Sequence, residues 1–330
     1  MRTQPRRSFI ANAVASGMAV VALLAGGQVQ AQQWPSRTIR LVVPFPPGGS
    51  VDNMARQLAP KLQAALGQTV IIDNRSGAGG TVGAAEVARA APDGHTLLMV
   101  FDSYATYPLV FPKLSFDVRK DLVPVTQIAS NPMVLVVHPS VPATDVKTFV
   151  ELLKSAPDRY NFASIGPASS NHLSGELFKA VTGTSITHVP YRGGGPAQQD
   201  LLGGQVELMF LSAPLALPHV KGGKLRALAQ TGLERAAAFA NLPTMAESGY
   251  PALEAESWNG LMVPAGTPRA VIDRLQAEIH RIVTEPAFAE RLKEQGQTPI
   301  ANTPEQFAAR IAGDLAKWTA LVKERGLSLE

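Results

Sequence analysis

The chain has 330 residues, no cysteine, and 30 basic against 26 acidic side chains. Without cysteine it forms no disulfide, so stability rests on core burial, and a chain of roughly 300 residues removes about three quarters of its unfolded surface from water. Three of the arginines fall within residues 1–31, which hold no acid, leaving 27 basic against 26 acidic residues beyond them; they are scattered, and no basic stripe remains to grip a nucleic-acid backbone.

Residues 1–31 read as an export signal. Arg2, Arg6 and Arg7 form a basic start, residues 10–25 are an uncharged apolar run, and Val29-Gln30-Ala31 sets small residues for cleavage after Ala31. The run falls short of the roughly 20 residues that a stable membrane span needs. Arg6-Arg7-Ser8-Phe9-Ile10 fits a twin-arginine leader as well as an ordinary secretory one, so both export routes stay open. The expected location is the periplasm.

Strand-like and helix-like segments then alternate. Residues 39–45 are a β-branched and apolar run ending in a Pro/Gly loop, and Val51, Met54, Leu58, Leu62 and Leu66 follow at helical spacing. Pro60 inside that helix predicts a kink or break. Residues 70–73 and 96–101 read as strands, with a helix over 81–90 between them. Further on, strands are expected at 133–137, 160–163, 187–189, 208–211 and 225–229, with helices at 144–155 and 172–181. After Trp258 the chain reads as mostly helical. Thr267-Pro268 and Thr303-Pro304 look like N-caps followed by a first-turn proline, and Gln306 completes a capping box with Thr303. Phe307, Ile311, Leu315, Trp318 and Val322 form one apolar stripe, read as core packing.

The alternation predicts an α/β fold with parallel sheets covered on both faces. The length predicts two lobes. Residues 32–130 with 257–330 are expected to form the first and residues 131–256 the second, joined by a hinge of two crossings near residues 130 and 256.

Ligands of open parallel sheets sit beyond the carboxyl ends of the strands. Here those loops are rich in small residues: Pro44-Phe45-Pro46-Pro47-Gly48-Gly49-Ser50, Asn74-Arg75-Ser76-Gly77-Ala78-Gly79-Gly80, Ser164-Ile165-Gly166-Pro167-Ala168-Ser169-Ser170-Asn171-His172, and Pro190-Tyr191-Arg192-Gly193-Gly194-Gly195. Successive backbone N–H groups can wrap an anion, and a helix start adds its positive end. The chemistry expected is capture of a carboxylate by main-chain donors and hydroxyls. Taken singly, each loop reads first as a tight turn, and it is their number at equivalent strand ends that points to a shared cleft.

The segments LVVPFPPGGSVDNMAR, VIIDNRSGAGGTVGA, SSNHLSGELFKAVTG, THVPYRGGGPAQQDLLGGQVELMF and SWNGLMVPAGTP, in that order, closely resemble the Bug family, the extracytoplasmic solute receptors of tripartite tricarboxylate transport systems. The likeness runs from about Trp34 to the C-terminus. It implies a type II periplasmic-binding-protein fold of two doubly wound lobes closing over an organic acid, membrane transporter subunits as partners, a monomer, and no cofactor or metal. Carried over by position, it implies ligand contacts from Phe45, Pro46, Gly49, Ser50, Gly79 and Gly80, flanking by Ser103 and Tyr107, and second-lobe contacts from Ser164, Ser169, Ser170, His172, Tyr191 and Ser212. Two positions depart from the family pattern: Ile165-Gly166-Pro167-Ala168 replaces a serine- and glycine-rich turn, and Leu211 replaces a polar residue. Both make the second-lobe wall less polar and favour a bulkier or aromatic acid.

Several residues carry two readings. Asp52 complements a helix dipole or meets a ligand ammonium, the first being preferred. His172 donates to a carboxylate or caps its own helix. Arg192 clamps a second carboxylate or joins a surface salt bridge, and Trp258 shapes the cleft or, preferably, packs in the core. Enzyme signatures are missing: no Gly-x-Ser-x-Gly elbow, no cysteine nucleophile, no histidine pair at metal-binding helical spacing, and Val82 stands where a dinucleotide fingerprint has its third glycine. A ligand sensor for a membrane signalling protein and an exported α/β enzyme remain as alternative functions.

Overall fold

The computed structural model describes residues 34–111, 113–167 and 169–326; the leader read at residues 1–31 lies outside them. Strand β1 (Ile39–Val43) is buried along nearly its whole length, as its unbroken apolar sequence requires. It is flanked by β2 (Val70–Asn74) and β3 (Thr96–Phe101), both parallel to it. Helix α1 (Ser50–Leu66) covers one face with Val51, Met54, Leu58 and Leu62, and ends at Gly67 in the left-handed conformation. The expected kink at Pro60 does not divide α1. Pro60 lies on the exposed side of the helix, where a carbonyl deprived of its donor meets water rather than core. Helices α2 (Thr81–Ala88) and α3 (Ser103–Val110) complete this region.

The sheet order is β2-β1-β3-β9-β4-β7-β5-β6, with β8 and β10 also pairing β4. Strand β4 (Leu122–Val137) is the connector. Its first part pairs with β9 (Glu256–Pro264) from Leu122 opposite Pro264 to Pro132 opposite Glu256. From Met133 onward it pairs instead with β7 (Leu208–Ser212) and β8 (Arg226–Gln230). Beyond β7 lie β5 (Asn161–Ser164) and β6 (Thr187–Pro190), in parallel register.

The expectation of wholly parallel sheets is therefore corrected, because β4 runs antiparallel to β7, β8, β9 and β10 (Thr298–Pro299), and β9 runs antiparallel to β3. The chain leaves the first sheet along β4 and returns along β9, and two neighbouring strands that lead out and back must run in opposite directions.

Helices α4 (Val146–Ser155), α5 (Ser170–Thr182), α6 (Gly194–Leu202) and α7 (Ala213–Lys221) pack about the second sheet. Three helices follow β9: α8 (Arg269–Thr284), α9 (Pro286–Glu294) and α10 (Pro304–Arg325). Thr267 does not cap α8. The cap position falls on Pro268, and the Thr267 hydroxyl donates to the Pro264 carbonyl instead. The box at Thr303 and Gln306 forms as the sequence indicates. The stripe on α10 divides between two cores: Phe307 and Ile311 pack with Val42, Leu98 and Trp258, whereas Trp318 and Val322 pack with Phe149, Phe162 and Phe178.

Candidate functional site

The turn after β1 is held from behind. Asp52, buried in the first turn of α1, accepts hydrogen bonds from the Gly48 N–H at 3.0 Å, Arg56 Nε at 2.8 Å and Asn74 Nδ2 at 3.0 Å. Burial works against the ionised carboxylate, but these donors outweigh it and hold the Asp52 pKa below its ordinary value. The same Asn74 amide donates to the Phe45 carbonyl. Asp52 thus shapes residues 45–49 from the protein side, a role that the sequence reading did not assign to it.

The turn after β2 has four successive positive φ angles, at Gly77, Ala78, Gly79 and Gly80. Gly80 has to be glycine: a Cβ there would lie 2.5 Å from the Tyr107 hydroxyl and 3.1 Å from the Phe45 ring. Its N–H is already donated to the Gly77 carbonyl, so Gly80 contributes space to the site and not a donor. The Tyr107 hydroxyl donates to the Gly79 carbonyl at 3.1 Å and supports this turn.

Turns from the second sheet come directly against these. A Cβ on Gly193 would meet the Pro46 ring at 2.6 Å, one on Gly194 would lie 3.6 Å from Gly49 Cα, and one on Gly79 would lie 3.4 Å from the Pro167 carbonyl. The glycines let two backbones approach at side-chain distance. Two spaces result, which share Phe45 and Ile165 in their walls. The inner one, about 20 Å³, is lined by Phe45, Gly49, Ser50, Val51 and Phe101 from one side and by Ile165, Asn171, Gly194, Leu211, Ser212 and Leu215 from the other. The outer one, about 470 Å³, lies between Pro46, residues 76–80 and residues 165–167 with Pro190, Tyr191 and Arg192. A groove of about 650 Å³ beneath α10 is larger, but its walls come from α3, α10, β4 and β9 and include none of these glycine turns.

Of the residues indicated by the sequence, Phe45, Gly49, Ser50 and Ser212 line the inner space, and Phe45, Pro46, Gly79, Gly80 and Tyr191 line the outer one. Ser103, Tyr107, Ser164, Ser169, Ser170 and His172 line neither. Ser164 and Ser169 build the turn itself: the Ser169 hydroxyl donates to the Gly166 carbonyl at 2.7 Å, and Ser164 Oγ accepts the Gly166 N–H while lying 2.7 Å from His188 Nε2. The His172 ring is fully buried, stacked at 4.0 Å centroid distance on His188. Burial, helped by His188 and Lys179, pushes its pKa down to about 3, so it is neutral at physiological pH. Trp258 is core, with its indole N–H donated to Asp314 at 2.6 Å.

Sequence reasoning passed over Asn171, Phe101 and Leu215 as site residues. Asn171 left one signal, since asparagine is a weak helix former and here stands in the first turn of α5. Phe101 and Leu215 left none, because an apolar residue at a strand end or helix start reads as core.

A second polar cluster spans the seam beside β4 and β9. Asp102 precedes α3 and accepts the Ser170 N–H of α5 at 3.3 Å. Burial pushes its carboxyl up to about 7, tempered by the nearby Ser257 and Ser170 side chains. Asp102 Oδ2, Ser103 Oγ, Asn131 Oδ1 and Ser257 Oγ have no partner at hydrogen-bonding geometry among the described residues. Among those residues, too, no group of three or more His, Asp or Glu side chains is arranged to hold a metal ion.

Two α/β halves meeting through glycine turns at their strand ends define a two-lobed binding protein of the type II periplasmic class. Residues 54–327 match the tripartite tricarboxylate transporter family receptor, and the chain belongs to that family. It is 40% identical over 307 residues to BugT of Bordetella pertussis, covering 92% of this chain and 93% of that one. A Rhodopseudomonas palustris protein solved with adipate is 34% identical at a TM-score of 0.87, over 89% of this chain and 99% of that one. MatC of the same species, solved with bound malate, is 33% identical at a TM-score of 0.83, over 88% of this chain and all of that one. The family's members are solute receptors of the periplasm.

Proposed function

We propose that this protein captures a small organic acid between its two lobes and presents it to the membrane subunits of a tripartite tricarboxylate transporter. The observation that carries this is the meeting of residues 45–50 and 76–80 with residues 164–171 and 190–195 around a space lined by glycines, hydroxyls and an amide. The adipate and malate held by the two R. palustris relatives support a carboxylate as the guest. The chain is exported with cleavage after Ala31 and comprises two lobes, residues 32–130 with 257–330 and residues 131–256. The switch of β4 from one sheet to the next at Pro132 and Met133, beside the start of β9 at Glu256, supports hinge crossings near 130 and 256. The protein acts as a monomer, binds without chemical turnover and needs no cofactor. Its ligand contacts come from Phe45, Pro46, Gly49, Ser50, Gly79, Tyr191 and Ser212, with Ser103, Ser164, Ser169, Ser170 and Tyr107 behind them.

The test is a thermal-shift panel of mono-, di- and tricarboxylates, aromatic acids and acidic amino acids. A ligand at 100 times its dissociation constant adds about 2.7 kcal/mol of stability. A panel in which no acid raises the melting temperature overturns the reading.

A further inference from the structure

The inner space has an unusual combination of size and chemistry. About 20 Å³ is room for one water-sized group, not for the three heavy atoms of a carboxylate. Its walls are mostly apolar, with Phe45 and Phe101 set edge to face at 5.9 Å and Leu211 and Leu215 opposite. Into this setting come three buried polar atoms with no partner among the described residues: Ser50 Oγ, Ser212 Oγ and Asn171 Oδ1. The orientation of the Asn171 amide is fixed, because its Nδ2 donates to the Phe210 carbonyl at 2.6 Å. What remains at the cavity is therefore the carbonyl oxygen, an acceptor only, on a side chain 3% exposed.

We infer that the inner space selects a hydroxyl on the body of the bound acid, with Asn171 as the specificity-determining acceptor, so that the preferred ligands are hydroxylated carboxylates. This rests on the carboxylate-receptor reading and refines it. A ligand hydroxyl supplies one heavy atom, a proton for Asn171 Oδ1, and two lone pairs for the Ser212 and Ser50 hydroxyls, so all three orphan atoms are answered at once. A second carboxylate placed there would face the Asn171 oxygen with like partial charge and lose its water against phenyl and leucine walls. An ammonium would enter with no carboxylate in the lining to balance it. The anionic end of the ligand then stays in the outer space, with residues 44–46, the turn at 76–80 and Arg192 around it. An acid lacking the hydroxyl leaves a buried acceptor unmade, which is the situation in which a binding site discriminates most strongly.

The experiment is calorimetric titration of the purified protein with matched pairs: malate and succinate, 4-hydroxybenzoate and benzoate, 6-hydroxyhexanoate and hexanoate. At least one hydroxylated member is expected to bind about 10- to 100-fold more tightly than its partner. In Asn171→Leu that ratio collapses to about one. Ser212→Ala, which leaves the Asn171–Phe210 contact intact, lowers the ratio severalfold and serves as the test should Asn171→Leu fail to melt cooperatively. Equal or tighter binding of the deoxy member in every pair overturns the inference while leaving the receptor reading in place. So does a ratio unchanged in both variants. Absence of binding by every acid removes the receptor reading and this inference with it.

Discussion

Asp52 and Asp102 occupy equivalent places and behave oppositely. Each follows a strand of the first sheet, each stands at a helix start, and each is buried, at 1% and 8% exposure. Asp52 has a guanidinium, a backbone N–H and a side-chain amide donating to it, and its pKa lies below the ordinary value. Asp102 has one backbone N–H at 3.3 Å and hydroxyls nearby, and burial lifts its pKa to about 7. Burial alone thus does not set the charge of a carboxyl at a strand end; the number and kind of donors does. The first arrangement fixes a turn inside one lobe. The second puts a titrating group on the contact between the lobes.

The largest effect expected from breaking this contrast is at Asp102. In the unfolded chain it ionises near 3.8 and in the folded protein near 7. The stability it contributes is therefore whole below about pH 4 and lost as the pH rises through 7, a difference on the order of 4 kcal/mol. Asp102→Asn keeps an acceptor for the Ser170 N–H and removes the proton. Urea denaturation should find the variant more stable than the parent by several kcal/mol at pH 8, with the gap closing below pH 4. A constant difference across that range would remove Asp102 as its source.

Next comes Asp52→Ala, which strands the Gly48 N–H, the Asn74 amide and a half-exposed Arg56. A loss of about 3 kcal/mol in denaturant unfolding is expected, the lower end of the range for a broken buried ion pair, together with weakened carboxylate binding. A loss under about 1 kcal/mol would mean that water replaces these bonds and the turn holds itself.

His172 sharpens the comparison from the basic side. Its pKa falls from 6.5 to about 3 on folding, so its contribution is whole above 6.5 and is lost as the pH drops from there toward 3. At pH 5 this amounts to about 2 kcal/mol relative to pH 7. His172→Phe retains a ring for the stack with His188 and Phe162 and should flatten the fall in stability between pH 7 and 5 by that amount. Asp102 acts in the opposite sense over the same interval, so the fall should be steeper in Asp102→Asn than in the parent. The smallest change is expected for Arg192→Gln, an exposed cation with no ion-pair partner among the described residues. Stability should stay within about 0.5 kcal/mol, and acid binding should lose part of its dependence on salt.

Much of the fold was legible because its signals are local. The apolar run of β1, the helical spacing of Val51 to Leu66, the box at Thr303 and Gln306, and the glycine turns all lie within a few residues of one another. What escaped was long-range. Strand β4 was read only from Met133, because Thr126, Gln127, Ser130 and Asn131 interrupt its apolar pattern; their burial is explained only by the pairing with β9 and the seam. The break offered at Pro60 does not occur, and the sequence could not show this because which face of α1 meets water depends on what packs on the other.

The site divides in the same manner. The family resemblance, carried over by position onto the strand-ending turns, marked Phe45, Gly49, Ser50, Gly79, Tyr191 and Ser212, which line the two spaces. Serines of the 164–170 turn have the same composition but spend their hydrogen bonds on that turn or face the Asp102 seam. The amino-acid sequence by itself determined the strand-ending glycine turns, the capping box at Thr303 and the family, because each follows from residues adjacent in the chain or from motif order. Only the tertiary structure decided which polar atoms are left without partners, which way Asn171 points and which carboxyl keeps its proton. Those depend on donors and desolvation supplied by residues distant in sequence, for which backbone propensity and spacing leave no trace.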